Sequence, residues 1–208
     1  MKNTTNPEFS SPKKSRLSAK SKEKNFSIVG IGASAGGIQA IKALLQSLPA
    51  DTGMAFVLIE HLSPDHASQL SDVLSKKSAM PVTETTNGME VVPNHVYVIP
   101  PNVTMTIVKG FLLLHRRSSE EKNLPINFFL YSLAEYQKKK AIAVILSGIA
   151  SDGSLGVKAI KDNGGIAFAQ DETAEFDMMP KNAIATGSVD LVLSPEQIAK
   201  ELVKLSKR

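Results

Sequence analysis

The sequence contains no cysteine, which excludes both a disulfide framework and thiolate chemistry. No apolar run approaches the ~18 residues a membrane-spanning helix needs. The N-terminus lacks the apolar stretch of a secretory signal, and no internal repeat is visible. Most of the chain also lacks an excess of charge. The formal net charge is +4, but residues 1–24 hold seven basic and two acidic side chains, which leaves the remainder at −1. The basic balance therefore belongs to one end. A nucleic-acid-binding domain carries its basic side chains on a folded face, so that class loses its main support.

What is present is enough apolar material for a core: 42% of 208 residues are hydrophobic, at a length that suits one domain plus extra segments. Residues 1–24 are rich in Ser, Lys, Asn and Thr. They cannot bury enough surface to offset the entropy of ordering, so a disordered basic tail is expected there, followed by one domain over residues 25–208.

Within that domain, apolar runs alternate with helical periodicity. Phe26–Ile31, Met54–Ile59 and Ala141–Leu146 read as buried strands. Ile38, Ile41, Leu44, Leu45 and Leu48 recur at helical spacing before Pro49, and Leu70, Val73 and Leu74 suggest a second helix. Val82–Thr85 reads as another strand. Residues 88–115 are β-rich, with turn signals at Pro100-Pro101-Asn102 and Lys109-Gly110, and suggest antiparallel hairpins at a sheet edge. A surface loop is expected over 116–124. Asn127–Lys138 reads as a helix with Phe128, Leu130, Tyr131, Leu133 and Ala134 on its apolar side. Ser154–Lys161 reads as a helix ended by Gly164-Gly165, with strands at Ile166–Ala169 and Asp190–Leu193. Ser194-Pro195-Glu196-Gln197 has the form of a capping box, opening a last helix to about Leu205. Strands separated by helices predict an α/β fold: a doubly wound, mostly parallel, Rossmann-like sheet with helices on both faces and an antiparallel hairpin at one edge.

Three segments directly follow apolar strands. In such a sheet the carboxyl ends of the strands share one crevice. Gly32-Ala33-Ser34-Ala35-Gly36 fits two chemistries: a glycine-rich phosphate cradle at a helix N-terminus, or a nucleophile elbow of the form G-x-S-x-G that exposes Ser34 Oγ. In the second case the Ala35 N–H is the natural oxyanion donor. Glu60-His61 also reads two ways. Glu60 lies 23 residues beyond Gly37, near where a dinucleotide-binding fold holds its ribose, whereas a hydrolase would use His61 as general base. His66 is not spaced to share a helix face with His61, so a metal pair is not expected. His95 and His115 read as ordinary strand or surface residues. In Ser147–Gly153, Asp152 is either the N-cap of the following helix or the group that orients an imidazole. A dinucleotide fold has no need of Ser-Gly-x-x-x-Asp-Gly at this point, so this segment favours the hydrolase.

Gly-Ala-Ser-Ala-Gly-Gly (32–37), Glu-His-Leu (60–62), Val-Tyr-Val-Ile-Pro-Pro (96–101), Ser-Gly-Ile-Ala-Ser-Asp-Gly (147–153) and Ala-Glu-Phe-Asp-Met-Met-Pro (174–180) together resemble the chemotaxis protein-glutamate methylesterase (CheB-type) catalytic domain over about residues 26–205. The resemblance implies hydrolysis of γ-glutamyl methyl esters on the cytoplasmic domains of methyl-accepting chemotaxis receptors, with release of methanol, and in some members deamidation of receptor glutamines. It implies Ser34, His61 and Asp152 as the catalytic triad and the Ala35 and Ile149 amides as the oxyanion site; Gly36, Gly37, Gln170 and Met179 are candidates for the substrate crevice, with packing an equal reading for Gln170 and Met179. It also implies a cytoplasmic setting, no metal or organic cofactor, and no nucleic-acid partner. Threonine is common in relatives where this chain has Ala35, methionine where it has Ile149, and glycine where it has Met178. Only about 25 residues precede the fold, too few for a receiver domain, so regulation by phosphorylation in cis is not expected. A nucleotide- or phosphate-binding module and a non-catalytic signalling adaptor are the alternative readings.

Overall fold

The computed structural model describes residues 26–60, 67–116 and 124–207. The tail expected at 1–24, and with them His61 and His66, lie outside the described residues, as does most of the loop expected at 116–124.

The chain runs β1 (Ile28–Ala33), α1 (Gly37–Gln46), β2 (Ala55–Glu60), α2 (Ala67–Ser75), β3 (Val82–Glu84), β4 (Met89–Glu90), β5 (His95–Val98), β6 (Val103–Val108), β7 (Phe111–Arg116), α3 (Pro125–Gln137), β8 (Ala141–Ile145), α4 (Ser154–Asp162), β9 (Ile166–Gln170), α5 (Met178–Ala185), β10 (Leu191–Leu193) and α6 (Pro195–Ser206). Seven strands form a parallel sheet in the order β10-β9-β8-β1-β2-β5-β3. Every residue of β1, β2 and β8 is buried. These strands carry helices on both faces, so apart from Glu60 at the end of β2 they are apolar rather than alternating.

One core lies under α1, α2 and α6, where Ile41, Leu44, Leu45, Leu74, Ile198 and Leu202 pack on Val29, Ile31, Phe56 and Leu58. The other lies under α3, α4 and α5, where Ile126, Phe129, Leu133, Val157, Ile160 and Met179 pack on Val57, Ile59, Ala143 and Ile145. Each fully buried side chain of this size contributes roughly 1.5–3 kcal/mol. The capping box opens α6 as expected: Gln197 N–H donates to Ser194 Oγ at 3.4 Å, and Ser194 N–H donates to Gln197 Oε1 at 3.2 Å.

Three local expectations change. His95–Val98 does not join a hairpin; it pairs in parallel with β2 and β3 inside the main sheet. The hairpin is β6–β7, turning at Lys109-Gly110 with positive φ at both residues (51° and 85°), as a type I′ turn requires. With β4 it forms a separate antiparallel sheet, and Ile107 N–H donates to Ser132 Oγ of α3 at 3.0 Å. In α3 the buried face is Ile126, Phe129, Leu130, Leu133 and Ala134, while Phe128 and Tyr131 are exposed. Finally, residues 178–185 form α5, a helix the sequence reading lacks. Pro180 obscures it, yet Pro180 sits in the first turn, where a missing N–H breaks no intrahelical bond.

The chain leaves β1 to build β2, β5 and β3 on one side, then returns to lay β8, β9 and β10 on the other. The direction of winding reverses between β1 and β8. That reversal opens the crevice where open α/β sheets place their sites.

Candidate active site

The backbone leaves β1 at Ala33 and turns through Ser34-Ala35-Gly36 into α1. Gly36 is the N-cap with φ 71°, and Gly37 N–H donates to the Ser34 carbonyl at 2.8 Å, closing the turn. Ser34 is half-buried. Its N–H donates to the Ser147 carbonyl at 3.0 Å, and Leu146 N–H donates to the Gly32 carbonyl at 2.9 Å. Ser147 Oγ donates to the Ala35 carbonyl at 2.9 Å and accepts from Phe176 N–H at 3.0 Å. The first and third segments are thus hydrogen-bonded to one another. A Cβ on Gly148 would lie 2.1 Å from Met179 Sδ and 3.0 Å from Ser34 Cβ, so only glycine lets this strand end pass beside the serine.

Asp152 is 1% exposed and does not cap its own helix; the N-cap of α4 is Gly153. Its carboxylate reaches α3 instead. Oδ2 accepts from Ile126 N–H at 2.9 Å, and Oδ1 accepts from Asn127 N–H at 3.0 Å and from Gly153 N–H at 2.8 Å. Leu124, the α3 N-cap, makes no side-chain cap. The carboxylate therefore satisfies amides at a helix N-terminus that local sequence leaves unpaired.

Among the described residues, neither the Ala35 nor the Ile149 N–H donates a hydrogen bond. Gln170 is 3% exposed; its Oε1 accepts from Ser147 N–H at 2.9 Å, and its Nε2 donates to Thr173 Oγ1 at 3.2 Å. Met179 and Gly37 are buried. The structure therefore places Gln170 and Met179 beneath the 147–148 turn, as its support. Glu60, the residue before His61, is the register partner of Ala33, the residue before Ser34.

A family model for the CheB methylesterase matches residues 29–202. A putative protein-glutamate methylesterase/protein-glutamine glutaminase of Leptospira interrogans is 36% identical over 188 residues, covering 88% of this chain and 96% of that protein. The chain belongs to the CheB methylesterase family. A protein-glutamate methylesterase/protein-glutamine glutaminase of Carboxydothermus hydrogenoformans is 37% identical over 183 residues, 84% of this chain but 54% of that protein. The crystal structure of the CheB methylesterase catalytic domain of Thermotoga maritima superposes with a TM-score of 0.80 at 33% identity, covering 86% of this chain and 98% of that one.

Within this methylesterase fold, Glu60 has a property that sequence did not suggest. It is 8% exposed, and its Oε2 has no hydrogen-bond partner among the described residues. Burial pushes its carboxyl up from about 4.5 to about 7, because a desolvated charge is disfavoured. The folded state therefore holds this proton more tightly than the unfolded chain. Stability falls as pH rises between about 4.5 and about 7 and levels off above that. Glu60→Gln, a neutral isostere, is expected to stabilise the fold by up to about 3 kcal/mol at pH 8 and by little at pH 4.5. Urea denaturation at the two pH values checks this; equal effects at both would refute it.

Proposed function

We propose that this chain hydrolyses γ-glutamyl methyl esters on the cytoplasmic domains of chemotaxis receptors, and receptor glutamine amides by the same route, with Ser34, His61 and Asp152 as a catalytic triad. The observation that carries the proposal is the hydrogen-bonded junction of the Ser34 turn with the 147–153 segment, which holds the buried Asp152.

His61 takes the Ser34 hydroxyl proton as Oγ bonds to the ester carbonyl carbon. The carbonyl oxygen becomes an oxyanion, held by the Ala35 and Ile149 amides, which have no competing acceptor among the described residues. The tetrahedral intermediate collapses, the C–OCH₃ bond breaks, and His61 gives its proton to the leaving methoxide, releasing methanol. Water then attacks the acyl-enzyme with His61 again as base, returning glutamate and free Ser34. With a glutamine substrate the same steps release ammonia. Asp152 holds the imidazole in one tautomer and stabilises its cation. The site works in the cytoplasm, where the receptor domains are; no described helix is long and apolar enough to cross a membrane.

The nucleotide-binding alternative loses support from two carboxylates. Glu60 is buried rather than presented to a ribose. Glu175 Oε2 lies 2.9 Å from where a Gly36 Cβ would stand, so it brings negative charge to the turn that would cradle a phosphate. Incubation of the chain with a chemoreceptor cytoplasmic fragment that carries γ-glutamyl methyl esters tests the proposal. Methanol release that is stoichiometric with ester loss is expected, and an ester content that stays constant would end the proposal.

A further inference from the structure

The Ile149 amide lies in a loop whose shape its own sequence does not favour. Ala150 has φ 76°, a left-handed conformation for a residue with a Cβ, at an expense of roughly 1–2 kcal/mol. Such a conformation persists only where surroundings impose it. Here the surroundings are α5 and the turn that leads into it. Gly148 N–H donates to the Phe176 carbonyl at 2.9 Å, and Met179 N–H donates to the Gly148 carbonyl at 3.0 Å. Ala150 N–H donates to Met178 Sδ at 3.3 Å, and Asn182 Nδ2 donates to the Ala150 carbonyl at 2.8 Å. Met178 and Asn182 are four residues apart on α5, hence on one face. Both backbone groups of Gly148 and both of Ala150 are therefore held from α5 and its approach, while the Ile149 N–H between them donates to nothing among the described residues.

We infer that Asn182 and Met178 are positioning residues that clamp Ala150 and thereby aim the Ile149 amide at the oxyanion. Asn182 does most of this: an amide-to-carbonyl bond at 2.8 Å is stronger than one to a thioether, a weak acceptor. Neither side chain needs to touch substrate. The inference rests on the reading of Ser34 as nucleophile and Ile149 as oxyanion donor, and adds the part of the fold that holds the donor in place. Loosening the clamp lets the donor drift, and a misplacement of about 1 Å costs up to about 100-fold in rate.

The test compares Asn182→Ala and Met178→Leu with the parent and with Ser34→Ala. It measures kcat and KM for methanol release from a methylated receptor fragment, and the rate of inactivation by a fluorophosphonate. Asn182→Ala is expected to lower kcat by about 10- to 100-fold, with KM within about twofold of the parent, because the contact acts only on the transition state. Fluorophosphonate inactivation should slow by a similar factor. Met178→Leu keeps the volume and removes the acceptor; it should give a smaller loss in the same direction, and it carries the test if Asn182→Ala unfolds. Unchanged kcat in both variants, or a rise in KM alone, overturns the clamp. Should Ser34→Ala keep the parent rate, the nucleophile reading fails instead, so the two failures are told apart.

Discussion

Replacing Ser34 by alanine is expected to slow methanol release by about 10⁴- to 10⁶-fold, the range seen when a triad nucleophile is removed. The fold should not register the change. Among the described residues, the Ser34 hydroxyl makes no hydrogen bond, and the turn is held by backbone contacts, Ser34 N–H to Ser147 and Gly37 N–H to the Ser34 carbonyl. Alanine keeps both, so the thermal midpoint should move by no more than about 2 °C. Kinetics and a melting curve on the same preparation check the two halves. A rate within tenfold of the parent would remove Ser34 from the chemistry, and a collapsed melting curve would make its role structural.

Asp152 is expected to behave differently, because it caps α3 in addition to its proposed part in the triad. Its carboxylate receives the Ile126, Asn127 and Gly153 amides at 1% exposure. Asp152→Ala strands those donors in the interior, at about 1–3 kcal/mol for each one left unpaired, and α3 loses its cap. A destabilisation of about 3–5 kcal/mol is expected, a large share of the stability of an ordinary domain. Asp152→Asn separates the two roles. It keeps the volume and one acceptor oxygen, but its NH₂ must face a backbone donor and cannot stabilise an imidazolium. Its expected stability loss is about 1–2 kcal/mol, while kcat falls by about 10³- to 10⁴-fold. Chemical denaturation and steady-state kinetics on both variants decide. An Asn variant with parent-like kcat would leave Asp152 as a helix cap only.

The parts that sequence made legible are those in which one segment carries its own signal. Strands buried on both faces are built from apolar runs, so Ile28–Ala33, Ala55–Ile59 and Ala141–Ile145 stand out. The α6 start is written in four consecutive residues. Gly32-x-Ser34-x-Gly36 and Ser147–Gly153 announce themselves through glycines beside polar residues at strand ends.

What escaped is what depends on distant partners. Asp152 resembles a local N-cap, and nothing in its neighbourhood says that it caps a helix 25 residues upstream. The parallel pairing of His95–Val98 depends on the strand finding a gap between β2 and β3, not on its composition. Phe128 and Tyr131 read as part of the packed face on apolarity alone, and the register of α3 turns them outward. Asn182 carries no signal in sequence, since its partner Ala150 lies 32 residues away.

If Ser34, His61 and Asp152 act as one unit, combining two variants shows it. Methanol release should be measured for Ser34→Ala, His61→Gln and the two combined. Groups that act together lose nearly all their effect when either is removed, so a double variant no slower than the slower single one is expected. Losses that multiply, or a His61→Gln enzyme that turns over at the parent rate, would contradict it.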